Sequence, residues 1–154
     1  MRAAGAADTI SRMTPAPSST RLLGRMPVAD AMTTGVISCA PETPLREIAA
    51  LMAERRVHAI YVFDKDASGD AGPWGLVSDL DLVAAARGDL DAATARDAAV
   101  TPLVTVRGDD TLDRAAQLLA ENGVSHLAVV DPHTELPAGV LSTLDVAGAV
   151  VSPR

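Results

Sequence analysis

Apolar residues recur at helical spacing in two windows of the chain. In the first, Leu45, Ile48, Ala49 and Met52 share one helix face, with Thr43 as the expected N-cap and Pro44 in the first position. In the second, Leu112, Ala115, Ala116 and Leu119 do the same behind Asp110 as the expected N-cap. Short aliphatic runs bounded by turn residues follow each helix and read as strand pairs, 59–63 with 75–77 and 127–130 with 139–141. A shorter strand is expected ahead of each helix, at 36–39 and 103–106, and a single helical turn ahead of that, in "VADAM" and "ARDAA". A last helix closes each set. The order is β-α-β-β-α, twice, which places the chain in the α/β (α+β) class.

The two sets are copies. A shift of 67 lays Asp30 on Asp97, Thr34 on Thr101, Leu45 on Leu112, Glu54 on Glu121 and Asp64 on Asp131. The first copy then carries a loop three residues longer, and a shift of 64 lays Gly75, Ser78, Leu80 and Asp81 on Gly139, Ser142, Leu144 and Asp145. One β-α-β-β-α unit leaves a sheet face bare, so the two are expected to pack together with pseudo-two-fold symmetry. The repeats are bounded at 27–90 and 91–151. Residues 1–26 have no period and are dense in Ala, Ser, Thr and Pro, and read as a disordered tail. Met13 or Met26 could be the true start, and the Arg content faintly resembles a transit peptide without its amphipathic helix.

Composition narrows the function. Of 154 residues 48% are apolar but only three are aromatic, so the core must be aliphatic. The formal charge of −7 argues against nucleic acid as the main partner, since phosphate binding needs clustered Lys and Arg. No apolar run reaches the ~20 residues of a membrane helix, and the N-terminus lacks the apolar core of a signal peptide. Cys39 is the sole cysteine, which excludes an intrachain disulfide and suits a reducing cytoplasm. No Cys–His or Ser–His pairing with a supporting acid, HExxH or Walker loop is present, so catalysis is not expected.

Candidate chemistry centres on "GLVSDLDLVAA" and "GVLSTLDVAGA", in which Ser78 precedes Asp81 and Ser142 precedes Asp145 by three. By spacing alone this is close to a capping box, worth about 1 kcal/mol per helix. The same groups also suit a nucleotide. A carboxylate can accept both hydroxyls of a vicinal diol, and a serine at a helix N-terminus sits beside backbone N–H groups that favour phosphate.

Together, the doubled G-h-h-S-x-x-D segment (h apolar), "VSHLAVVD" and the repeated unit resemble a tandem pair of CBS domains, named after cystathionine β-synthase, from Pro27 to about Val151. The resemblance implies a stand-alone regulatory module that binds an adenosyl ligand (AMP, ADP/ATP or S-adenosylmethionine) between the repeats and pairs into a homodimer. Adenine would meet main chain at Thr34 to Val36 in one site and at Thr101 to Leu103 in the other. Asp81 and Asp145 would grip ribose, and Ser78 and Ser142 would reach phosphate or ribose. The alternative is a ligand-free module that dimerises or docks on a partner enzyme or transporter.

Where charged-nucleotide binders of the family carry His and Arg side by side, this chain has His58 with Ala59, and Ser125 with His126. One weak cation per site disfavours a triphosphate and favours AMP, adenosine or S-adenosylmethionine. His126 serves either ligand contact or strand packing. Arg55 and Arg56 read as complements to a helix C-terminus. Tyr61 could stack on adenine or pack with a wet hydroxyl, and Trp74 could lid the cleft or mark a partner surface. Cys39 reads as a small core residue. Residues 64–75 mimic an EF-hand up to Asp70, but Gly75 stands where a bidentate Glu belongs, so a hairpin loop is expected.

Overall fold

The two amphipathic windows fold where their apolar spacing puts them. The computed structural model describes residues 18–151. In it helix α2 runs Leu45–Arg55 and helix α5 runs Leu112–Asn122, burying Leu45, Ile48 and Met52 in one and Leu112, Ala115 and Leu119 in the other. The remaining elements are α1 (Ser19–Leu23), β1 (Thr33–Thr34), β2 (Ser38–Cys39), β3 (Ala59–Lys65), β4 (Ala71–Ser78), α3 (Asp79–Ala85), α4 (Ala95–Ala98), β5 (Thr105–Arg107), β6 (His126–Val130), β7 (Pro137–Ser142) and α6 (Thr143–Val151). A 3-10 turn at Val28–Asp30 precedes β1. Residues 1–17 of the expected tail lie outside the described residues, whereas 19–23, expected within it, are helical.

Both N-caps sit one residue later than expected. Thr111, not Asp110, accepts the N–H of Arg114, because the Asp110 carboxylate is taken by the N–H of Arg107. Pro44 occupies the N-cap of α2 and offers no side-chain acceptor. The first-turn N–H groups of Leu45 and Arg46 instead donate to the carbonyls of Ala93 and Leu90, so backbone from between the repeats caps this helix.

That capping belongs to a larger exchange: the lead-in of each repeat docks on the other repeat. Val28 N–H donates to Asp110 O and Ala29 N–H to Gly108 O, while Ala95 N–H donates to Thr43 O and Arg96 N–H to Pro41 O. Leu112 N–H to Met26 O mirrors Leu45 N–H to Ala93 O. Strand β1 then joins the second repeat's sheet, giving the order β1-β7-β6-β5 with Thr33 opposite Val140 and Thr34 opposite Gly139. Its counterpart, Val100, bridges Leu76 at the edge of the first sheet, β2-β3-β4. The residues that build each core are therefore drawn from both repeats. Val28 is buried among Leu112, Leu119, Leu127 and Leu141, and Ala95 among Leu45, Ile48, Ile60 and Val77.

Two glycines permit the exchange. A Cβ on Gly139 would collide with the Thr33 carbonyl, and one on Gly75 would stand 3.1 Å from the Val100 carbonyl oxygen. Between the sheets, Ala59, Tyr61, Leu76 and Ala128 form a third small core on the pseudo-two-fold axis. Strand β3 consequently buries successive residues, Ala59 to Val62, on both faces.

Candidate functional site

The Ser-x-x-Asp segments do form capping boxes. The N–H of Ser142 donates to Asp145 Oδ2 at 2.8 Å, its hydroxyl donates to the same oxygen at 2.8 Å, and Asp145 N–H returns to Ser142 Oγ at 3.1 Å. Ser78 and Asp81 repeat this at 2.7, 2.8 and 3.3 Å. In both boxes Oδ2 takes the two cap bonds. Among the described residues no hydrogen bond ends on Oδ1 of either aspartate. The cap thus orients each carboxylate while leaving one oxygen to accept from something else.

The exchange places these aspartates opposite the lead-in of the partner repeat. One cleft lies between Thr33–Ile37 and Arg56–Ala59 on the first repeat and Ser142, Leu144 and Asp145 on the second. Thr34, Val36, His58, Tyr61 and His126 all line it, and its volume is about 470 Å³, inside the ~300–1,000 Å³ range of small-molecule sites. The second cleft, related by the pseudo-two-fold axis, is lined by Leu103 and His126 facing Ser78 and Asp81. It encloses only about 60 Å³. Thr101 does not line this cleft, since its hydroxyl donates to the Trp74 carbonyl at 3.0 Å.

Several expectations change here. Arg56 is not merely a helix-end complement: it is the C-cap of α2, with left-handed backbone (φ 54°, ψ 44°), and it lines the larger cleft. The repeat could have shown this, because the matching position is Gly123, also left-handed and suited to it. The larger cleft therefore has Arg56 beside His58, not one weak cation. His58 is exposed and its Nδ1 lies 3.1 Å from Asp79 Oδ2. The Tyr61 hydroxyl is not wet: the residue is 1% exposed, and the hydroxyl donates to Gly139 O at 2.7 Å, tying the two repeats together. Burial pushes its pKa up to about 12.

His126 is half-buried in both clefts, with Nδ1 2.8 Å from Ser125 Oγ. Burial holds its imidazole below the ordinary histidine value, against the nearby carboxylates of Asp79, Asp145 and Asp81. Trp74 is no lid. It packs on the first core beneath Arg96, whose guanidinium carbon stands 5.2 Å from the ring centroid. Cys39 is half-buried, its thiol pKa raised by burial, in agreement with a packing role. The EF-hand look-alike is a hairpin loop between β3 and β4. Asp66 accepts from the N–H groups of Ser68 and Asp70, and Asp64 is paired with Arg96 at 3.0 Å. Among the described residues no cluster of His, Cys, Asp and Glu could hold a metal, and no helix is long and apolar enough to cross a membrane.

The model of the CBS domain matches residues 28–88 and again residues 95–152. The chain belongs to the CBS domain family. As a CBS pair it superposes on solved pairs over most of their length. The CBS domain pair of protein MJ0100, in complex with 5-methylthioadenosine and S-adenosyl-L-methionine, gives a TM-score of 0.68 at 16% identity, over 84% of this chain and 98% of that one. The CBS domain protein PAE2072 from Pyrobaculum aerophilum, complexed with AMP, gives 0.64 at 25% identity, over 78% and 89%. The CBS domain of the bacterial CNNM/CorC family Mg2+ transporter in complex with ATP gives 0.67 at 24% identity, over 86% and 92%. No curated protein matches the sequence.

Proposed function

We propose that this CBS pair is a regulatory sensor whose larger cleft binds an adenosyl ligand. The observation that carries the reading is Asp145, which faces a cleft of about 470 Å³ with Oδ2 fixed by its cap and Oδ1 open. A ribose diol is a fitting donor for that carboxylate. Thr34 and Val36 offer main-chain groups for adenine at the opposite wall, and the ligands named for the structural neighbours, from S-adenosyl-L-methionine to AMP and ATP, are all of this class. Arg56 and His58 favour a phosphorylated ligand over the cationic S-adenosylmethionine. Arg56 holds a left-handed backbone that costs a non-glycine residue about 1 kcal/mol or more, and strain of this kind is retained where a side chain is needed in place. The sensor acts as a cytoplasmic homodimer, and occupancy of the cleft changes how the pair meets a partner enzyme or transporter.

A thermal-shift series with AMP, ATP and S-adenosylmethionine at millimolar concentration tests this. A ligand at a hundred times its Kd stabilises the fold by about 2.7 kcal/mol. AMP is expected to raise Tm most, Asp145→Ala to remove the shift, and Arg56→Ala to weaken AMP more than S-adenosylmethionine. A flat response to all three would leave the ligand-free docking module as the reading.

A further inference from the structure

We infer that the His126 ring closes the second cleft, so that each chain takes one adenosyl ligand and not two. The inference rests on the adenosyl reading of the first cleft for its ligand, but not for its geometry. The two clefts are built from matching positions and should be equal, yet one encloses about 470 Å³ and the other about 60 Å³. Most differences in their walls run the wrong way to explain this. Where the first cleft has Arg56, His58 and Ile37, the second has the smaller Gly123, Ser125 and Val104. Leu103 and Leu76 add one methylene each over Val36 and Val140.

Two matched positions add real bulk: Pro102 replaces Gly35 but does not line the second cleft, and the other lies in its wall. Ala59 in the first repeat matches His126 in the second, and an imidazole replaces a methyl. That ring lines both clefts, and its Nδ1 is held 2.8 Å from Ser125 Oγ, itself part of the second cleft's wall. The ring is thus fixed across the space that its counterpart leaves open.

Calorimetric titration of the full chain with AMP decides the stoichiometry. Wild type is expected to bind one AMP per chain, lost in Asp145→Ala. His126→Ala restores the alanine of the first repeat and is expected to bind two, of which Asp145→Ala removes one. Two sites in wild type, or one in His126→Ala, would overturn the inference. A crystal structure of unliganded His126→Ala, or of His126→Ser if the alanine variant folds poorly, reads the closure without any ligand. Severalfold enlargement of the second cleft supports the inference, and an unchanged cleft overturns it. If wild type binds no AMP but the variant's cleft opens, the adenosyl reading fails and the closure by His126 stands.

Discussion

His126 ties site geometry to stability. Its folded pKa lies below the ordinary value of 6.5, with burial the largest cause and His58 adding to it, while Asp79, Asp145 and Asp81 oppose it. The unfolded chain therefore binds this proton more tightly than the folded one. The contribution to stability is complete above the unfolded pKa of about 6.5 and is lost as pH falls toward the folded value. The carboxylates of Asp64, Asp109 and Asp131, whose pKa values are lowered by backbone hydrogen bonds or arginine neighbours, act only further into the acid range. Urea denaturation between about pH 7.5 and about pH 5.5 should show wild-type stability declining below pH 6.5, and His126→Ala should flatten that decline. An equal slope in the variant would show that other groups set it. At this scale the sequence was legible for Asp81 and Asp145, because a cap is a local contact three residues long. It was not legible for Arg56, whose place in the cleft depends on a left-handed turn that only its glycine counterpart hints at.

Elements that read well are those whose signal is internal. Helices α2 and α5 and the paired strands β3, β4, β6 and β7 lie within a few residues of where periodicity put them. Strand β1 was not expected at all. It is two exposed threonines with no apolar signal, and it exists because β7 of the other repeat pairs with it. The conjunction explains the glycine that opens each G-h-h-S segment, which serves neither cap nor ligand. Gly139→Ala should destabilise the fold by about 2–3 kcal/mol in urea denaturation, as expected for overpacking against backbone that cannot move aside. Gly75→Ala should cost less, since its nearest neighbours, the Ala99 methyl at 3.0 Å and the Val100 carbonyl at 3.1 Å, need shift only slightly. Equal effects would mean that both lead-ins yield alike.

For the whole molecule, helices α3 and α6 carry exposed apolar side chains that the interleaved cores do not use, among them Val83 at 69% and Val151 at 81% exposure. A homodimer that covers these helices predicts a concentration-dependent mass in light scattering. Val83→Glu combined with Val151→Glu should shift it to monomer with an unchanged far-UV CD spectrum, because neither side chain contributes to a core, and Tm should fall only by what association adds. A monomer in wild type, or an unchanged dimer in the double variant, would place the contact elsewhere or remove it. The amino-acid sequence by itself determined the repeat, the order of elements in each copy, the aliphatic core and the capped aspartates, since all of these are patterns within one stretch of chain. Only the tertiary structure decided which copy each lead-in serves, that Asp145 faces Thr34 and Arg56, and that two matched clefts differ so widely in volume. The physical reason is that a repeat gives two equivalent partners for every exposed edge. The choice between them is made by packing and backbone hydrogen bonds across the pseudo-two-fold axis, where one imidazole in place of a methyl is enough to break the symmetry.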